Sequence, residues 1–87
     1  MKTRIQAQDV ADLVMWLYVD KSAKMVDAAL IQSRCLPDVS ISTVRRLCAE
    51  AAELDLIVNL AHHGARRHWV PTRRALADKI AQLRERT

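Results

Sequence analysis

Ser42-Thr43-Val44-Arg45-Arg46 places two hydroxyls and two guanidinium groups within five residues. Arginine presents a planar fork of donors that pairs with guanine edges, and short hydroxyls at a helix start bond phosphate alongside the free amides of the first turn. A second basic group follows in His62, His63, Arg66 and Arg67, with Arg73 and Arg74 just beyond it. These side chains suit phosphate contact or the narrow minor groove of a duplex. The alternative for Arg45 and Arg46 is pairing with Asp38, Glu50 or Glu53 on a solvated helix face. Glu50 and Glu53 would repel phosphates if they met them, so they either point clear of a groove or mark a protein partner with basic patches.

Other chemistries fit less well. Cys35, Cys48, His62, His63 and His68 include the ligand types zinc prefers, but no Cys-x-x-Cys or His-x3-His spacing is present. Cys48 falls on an apolar helix face, where a buried thiol behaves as a small hydrophobe. No metal and no cofactor is expected. The three histidines gain charge as pH falls below about 6.5, which would strengthen anion binding. With one glycine there is no glycine-rich phosphate loop, and no Ser/His/acid constellation is apparent. A chain of this size also has little room for a water-excluding pocket, so an enzyme is not expected.

The elements that must position these residues follow from periodicity and capping signals. A first helix is expected over residues 9–20, opened by Asp9, with Val10, Leu13, Val14 and Leu17 on its core face. Met15, Trp16 and Val19 project away from that stripe, and a helix apolar nearly all round is covered on more than one side, either by the domain's other helices or by a second subunit. The second is favoured, because three or four short helices cannot easily enclose a central one at this chain length. Ser22 or Lys24 opens a second helix with Met25, Ala28, Ala29 and Ile31 inward, ending near Cys35-Leu36 before Pro37. After the turn Leu36-Pro37-Asp38-Val39, Ser40 or Ser42 caps a third helix reaching about Leu54. Its inner face is Val44, Leu47, Cys48, Ala51 and Leu54, and its outer face is Arg45, Arg46, Ala49, Glu50 and Glu53. Residues 55–60, with Leu56, Ile57, Val58 and Leu60, read as a strand, and residues 61–67 as a polar turn around Gly64. His68-Trp69-Val70 returns as the second strand, with Trp69 packing between hairpin and helices, and Pro71 ends the pairing for want of an amide hydrogen. Thr72 caps a last helix carrying Leu76, Ile80 and Leu83 as a stripe, either the last piece of core or a dimer seam.

The run Ser40-Ile41-Ser42-Thr43-Val44-Arg45-Arg46-Leu47, then Leu54-Asp55-Leu56-Ile57, then Trp69-Val70-Pro71-Thr72 resembles the winged helix-turn-helix superfamily of bacterial and phage DNA-binding proteins. The resemblance covers roughly residues 22–87. It implies a mainly α fold with a small β-hairpin wing, in the order helix, helix, helix, strand, strand, helix, and a third helix that reads DNA. Two departures stand out: a link from Cys35 to Ser42 longer than the usual tight turn, and the carboxylates of Glu50 and Glu53 on the reading helix.

Length and charge agree with one domain over residues 1–87. Residues 1–60 hold seven basic and eight acidic side chains, whereas residues 61–87 hold seven basic and two acidic. The excess positive charge is thus confined to one end, as a surface that attracts phosphate backbones or acidic proteins would have it. Two cysteines make no disulfide framework and nothing at the start reads as a signal peptide, so a cytoplasmic, nucleoid-associated setting is expected. The longest apolar run, Leu13 to Val19, is far short of the ~20 residues of a membrane span. The leading expectation is a small homodimeric DNA-binding transcriptional regulator. Ser42, Thr43, Arg45, Arg46, His62, His63, Arg66, Arg67, Arg73 and Arg74 would meet double-stranded DNA, and Met15, Trp16, Val19, Leu76, Ile80 and Leu83 a second subunit or partner. The rival is a winged-helix interaction module, such as a phage or bacterial inhibitor, that binds a host protein.

Overall fold

A computed structural model describes residues 5–23, 25–60 and 68–85. The elements run α1 (Ala7–Val19), α2 (Ala28–Cys35), α3 (Ile41–Glu53), β1 (Ile57–Asn59), β2 (Trp69–Pro71) and α4 (Arg73–Glu85). The protein is therefore mainly helical with a two-stranded antiparallel hairpin, in the order expected.

Val10, Val14 and Leu17 bury the core face of α1, joined by Ala7 and Ala11, while Leu13 is half-buried against them. Asp9 is not the residue before the helix, as expected, but lies inside its first turn. Its Oδ2 accepts from the Gln6 N–H at 2.8 Å, reaching back across the helix start.

The second helix begins later than residue 22 or 24. Ser22 takes φ 51° in the turn leaving α1, a left-handed conformation that no helix start can use, and Ala23 N–H closes that turn on the Leu17 carbonyl at 2.9 Å. Asp27 is the cap instead, accepting from Leu30 N–H at 2.7 Å. The inward residues change accordingly. Met25 is 51% exposed and Ala29 also faces solvent, whereas Val26, outside the expected helix face, is buried with Ile31. The Val26 carbonyl accepts from Trp69 N–H at 2.7 Å, so the segment before α2 lines the far edge of the hairpin.

The link to α3 is held by Gln32, whose Nε2 donates to the carbonyls of Val39 (3.2 Å) and Pro37 (3.4 Å). Ser40 is the cap of α3, its Oγ accepting from Thr43 N–H at 3.2 Å. Val44, Leu47, Cys48 and Ala51 are buried, but Leu54 is not on that face: it is 61% exposed. The helix has already unwound there, because Leu56 N–H bonds the Ala51 carbonyl and Asp55 N–H the Ala52 carbonyl, a Schellman closure with Asp55 at φ 61°. That position favours glycine, and a carboxylate at a helix C-terminus opposes the helix dipole. Asp55→Gly is therefore expected to stabilise the fold by about 1 kcal/mol, read by urea denaturation; a loss of stability would contradict it.

In the hairpin Ile57 pairs with Pro71, Val58 with Val70 and Asn59 with Trp69. Pro71 does not end the pairing, as expected of it, and Thr72 N–H still reaches the Leu56 carbonyl at 3.2 Å. The reason is alternation: every second amide of a strand points away from its neighbour. Trp69 N–H points away to Val26, and the Pro71 nitrogen, two residues on, lies on that same side, so β1 loses no donor.

The core gathers Val10, Val14 and Leu17 with Val26, Ile31, the inner face of α3, Ile57 and Trp69. Cys48 sits in it fully buried, and burial pushes its thiol up to about 11. Because the folded chain holds this proton more tightly than the unfolded chain, stability is at its full value below pH 9 and falls as pH rises from 9 toward 11. The stability difference between wild type and Cys48→Ala is expected to shrink by about 2 kcal/mol between pH 8 and pH 11, measured by urea denaturation; a constant difference would contradict it.

No residue of α4 is buried. Thr72 Oγ1 caps the helix, accepting from Ala75 N–H at 3.2 Å, and donates to the Asp55 carbonyl at 2.9 Å, which pins the start of α4 to the end of α3. Leu76 is half-buried and Ile80 and Leu83 are exposed, so the stripe adds nothing to the core of the single chain. Among the described residues, no helix is long and apolar enough to cross a membrane.

Candidate nucleic-acid interface

α3 is amphipathic in a way that sorts its functional side chains. With Val44, Leu47, Cys48 and Ala51 inward, the opposite side presents Ser42, Arg46, Ala49 and Glu53, flanked by Arg45 and Glu50. Ser42, Arg45 and Arg46 are exposed and Thr43 is half-buried, its backbone amide and hydroxyl both engaged with Ser40. Neither arginine is held by a carboxylate among the described residues, so the expected alternative, pairing with Asp38, Glu50 or Glu53, is not formed.

Charge is divided along the helix axis. The first two turns carry Arg45 and Arg46, and the last two carry Glu50 and Glu53. The rise from Arg46 to Glu50 is about 6 Å and to Glu53 about 10 Å. A duplex approaching the N-terminal end meets the guanidinium groups first, and the helix dipole adds to their attraction for anions.

Arg73 and Arg74 are exposed in the first turn of α4. Since Thr72 is tied to Asp55, these two arginines stand at the C-terminal end of α3, roughly 12–15 Å along its axis from Arg45 and Arg46. The two arginine pairs thus mark opposite ends of α3 with Glu50 and Glu53 between them. His62, His63, Arg66 and Arg67, expected on the hairpin turn, lie outside the described residues. The strands on either side of these residues are anchored from behind by Trp69 on Val26 and by Ile57 in the core.

A second surface includes Met15 and Trp16, which the sequence marked as an interface, but the cleft they line was not apparent in the sequence. A cleft of about 520 Å³ opens between α1 and α4, with Gln8, Asp12, Trp16 and Asp20 following one another down one side of α1. Asp78, Lys79 and Gln82 of α4 face them, over a floor of Ala11, Met15 and Leu56. Four-residue spacing of Gln8, Asp12, Trp16 and Asp20 is the signal that could have shown it, but the facing wall comes from residues more than fifty positions away. Trp16 is 41% exposed, and the Lys21 ammonium lies 5.2 Å from its ring centroid. Trp16 and Val19 are both exposed and Met15 is half-buried, so this side of α1 is uncovered in the single chain.

No protein-family model, curated protein or solved structure matches the chain.

Proposed function

We propose that this protein binds double-stranded DNA as a winged helix-turn-helix domain, inserting the N-terminal half of α3 into the major groove, and acts as a transcriptional regulator. The observation that carries this reading is the pair of exposed guanidinium groups of Arg45 and Arg46, unpaired among the described residues, at the capped, dipole-positive end of α3. They meet the chemical requirements of base-edge and phosphate recognition, and Arg73 and Arg74 at the start of α4 supply further positive charge on a neighbouring element. Positioning in the groove falls to the exposed Ser42 at the helix start, whose hydroxyl and first-turn amide suit phosphate oxygens, while Thr43, its amide already bonded to Ser40, contributes only its hydroxyl hydrogen. Glu50 and Glu53, further along the helix, then discourage deep insertion and tilt the approach toward the N-terminal end.

The test is a titration of mixed-sequence duplex DNA at low and at physiological salt. Binding that weakens steeply with salt, as counterion release requires, supports the reading. Absence of binding at low salt removes it and leaves an interaction module whose partner is a protein.

A further inference from the structure

The cleft between α1 and α4 and the uncovered stripe of α4 complement one another, yet one chain cannot bring them together. Ala75, Asp78, Lys79 and Gln82 turn toward α1, whereas Leu76, Ile80 and Leu83 fall roughly 100° further round the same helix. The stripe is carried beside the cleft and cannot fold into it.

Charge sorts in the same manner. Asp12 and Asp20 on one wall and Asp78 on the other, three carboxylates against the single cation Lys79, rim the apolar floor made by Ala11, Met15 and Leu56. The stripe, in turn, is an apolar ridge bordered by the cations Arg73 and Arg84. Acidic-rimmed groove and basic-rimmed ridge are electrostatic counterparts, the arrangement that orients two surfaces and fixes their register. The ridge also fits within the groove: Gln8 to Asp20 spans about 18 Å along the axis of α1, whereas Leu76 to Leu83 spans about 10 Å of α4, or about 16 Å with the flanking Arg73 and Arg84.

We propose that the protein forms a symmetric dimer in which the Leu76-Ile80-Leu83 ridge of each copy lies along the α1–α4 cleft of the other, over Met15 and Trp16. Ridge and cleft are both present on every copy, so a two-fold axis satisfies both contacts at once and closes the assembly at two chains. This covers Trp16, Ile80 and Leu83, large apolar side chains that the single chain leaves 41%, 50% and 48% exposed. Burying them is the driving force, and the charged rims supply orientation. The dimer does not depend on the DNA-binding reading, because it is measured on the protein alone.

Sedimentation equilibrium of the full chain without DNA, from about 1 to about 200 µM, is the experiment. The expected mass approaches twice 9.9 kDa as concentration rises. Ile80→Glu, Leu83→Glu and Trp16→Ala are each expected to weaken association roughly 30-fold or more. Val58→Glu, on the outer face of the hairpin, should leave association unchanged. Circular dichroism of each variant, dilute enough for wild type to be monomeric, should show the wild-type helix content, since all four positions are exposed. A chain that stays monomeric throughout the range overturns the proposal and leaves the ridge to a different protein. So does a dimer indifferent to Ile80→Glu and Trp16→Ala, a dimer broken by Val58→Glu, or an assembly that grows beyond two copies.

Discussion

Trp69→Ala is expected to lower the stability of the chain by about 4 kcal/mol, the upper part of the range for emptying an aromatic site in a core. Trp69 is 5% exposed and is the hairpin's main anchor: its ring lies in the core shared with α1, and its amide donates to Val26. A small domain has of order 5–15 kcal/mol in all, so the loss removes a large share of it. The melting temperature should fall by around 20 °C, measured by circular dichroism. Trp69→Phe keeps an aromatic ring and the backbone bond, and should cost about 1–2 kcal/mol. A loss below about 1 kcal/mol for Trp69→Ala would show that the hairpin is not held by its packing on α1 and would detach the hairpin's orientation from the fold.

The second large effect is on DNA affinity. Replacing Arg45 and Arg46 together by Ala is expected to weaken duplex binding by about 2–4 kcal/mol, roughly 30- to 1000-fold, and to reduce the salt slope by about one for each phosphate that is no longer neutralised. Arg73→Ala with Arg74→Ala should add to this without interaction. The two pairs are separated along α3 by more than the ~8 Å Debye length at physiological salt, and solvent-exposed charges that far apart act nearly independently. Glu50→Gln should have a smaller effect of opposite sign, because removing a carboxylate at the edge of the contact relieves repulsion. Wild-type affinity in the Arg45/Arg46 variant, with binding otherwise intact, would place the contact elsewhere and end the role proposed for α3. Melting curves separate loss of binding from loss of fold, since both arginines are exposed.

Most of the fold's order was legible because its signals are local. Ser40 and Thr72 cap the helices that follow them through bonds to amides three residues away, and hydroxyls at such positions announce a helix start before any tertiary contact exists. The inner face of α3 is likewise a matter of spacing, and Val44, Leu47, Cys48 and Ala51 were all identifiable from it. Pro37, Pro71 and the β-branched run near Ile57 placed the turn and the strands to within a residue or two.

Contacts between distant parts of the chain decided what remained. Helical spacing put Met25 inside and passed over Val26, since it carries no information that the Val26 carbonyl would meet the amide of Trp69, forty-three residues later. Leu54 matched the periodicity of α3 but fell one residue past its end, where the Schellman turn swings it into solvent. The spacing of Leu76, Ile80 and Leu83 says that α4 has an apolar face; whether that face joins the core depends on where Thr72 fastens the helix, and it fastens it away from the core. The same anchor sets Arg73 and Arg74 at the opposite end of α3 from Arg45 and Arg46. Composition supplied the arginines, and local hydrogen bonding and periodicity supplied the helices that carry them. Their separation, and the cleft beside them, came from long-range packing, whose energy depends on three-dimensional neighbours that no short stretch of residues specifies.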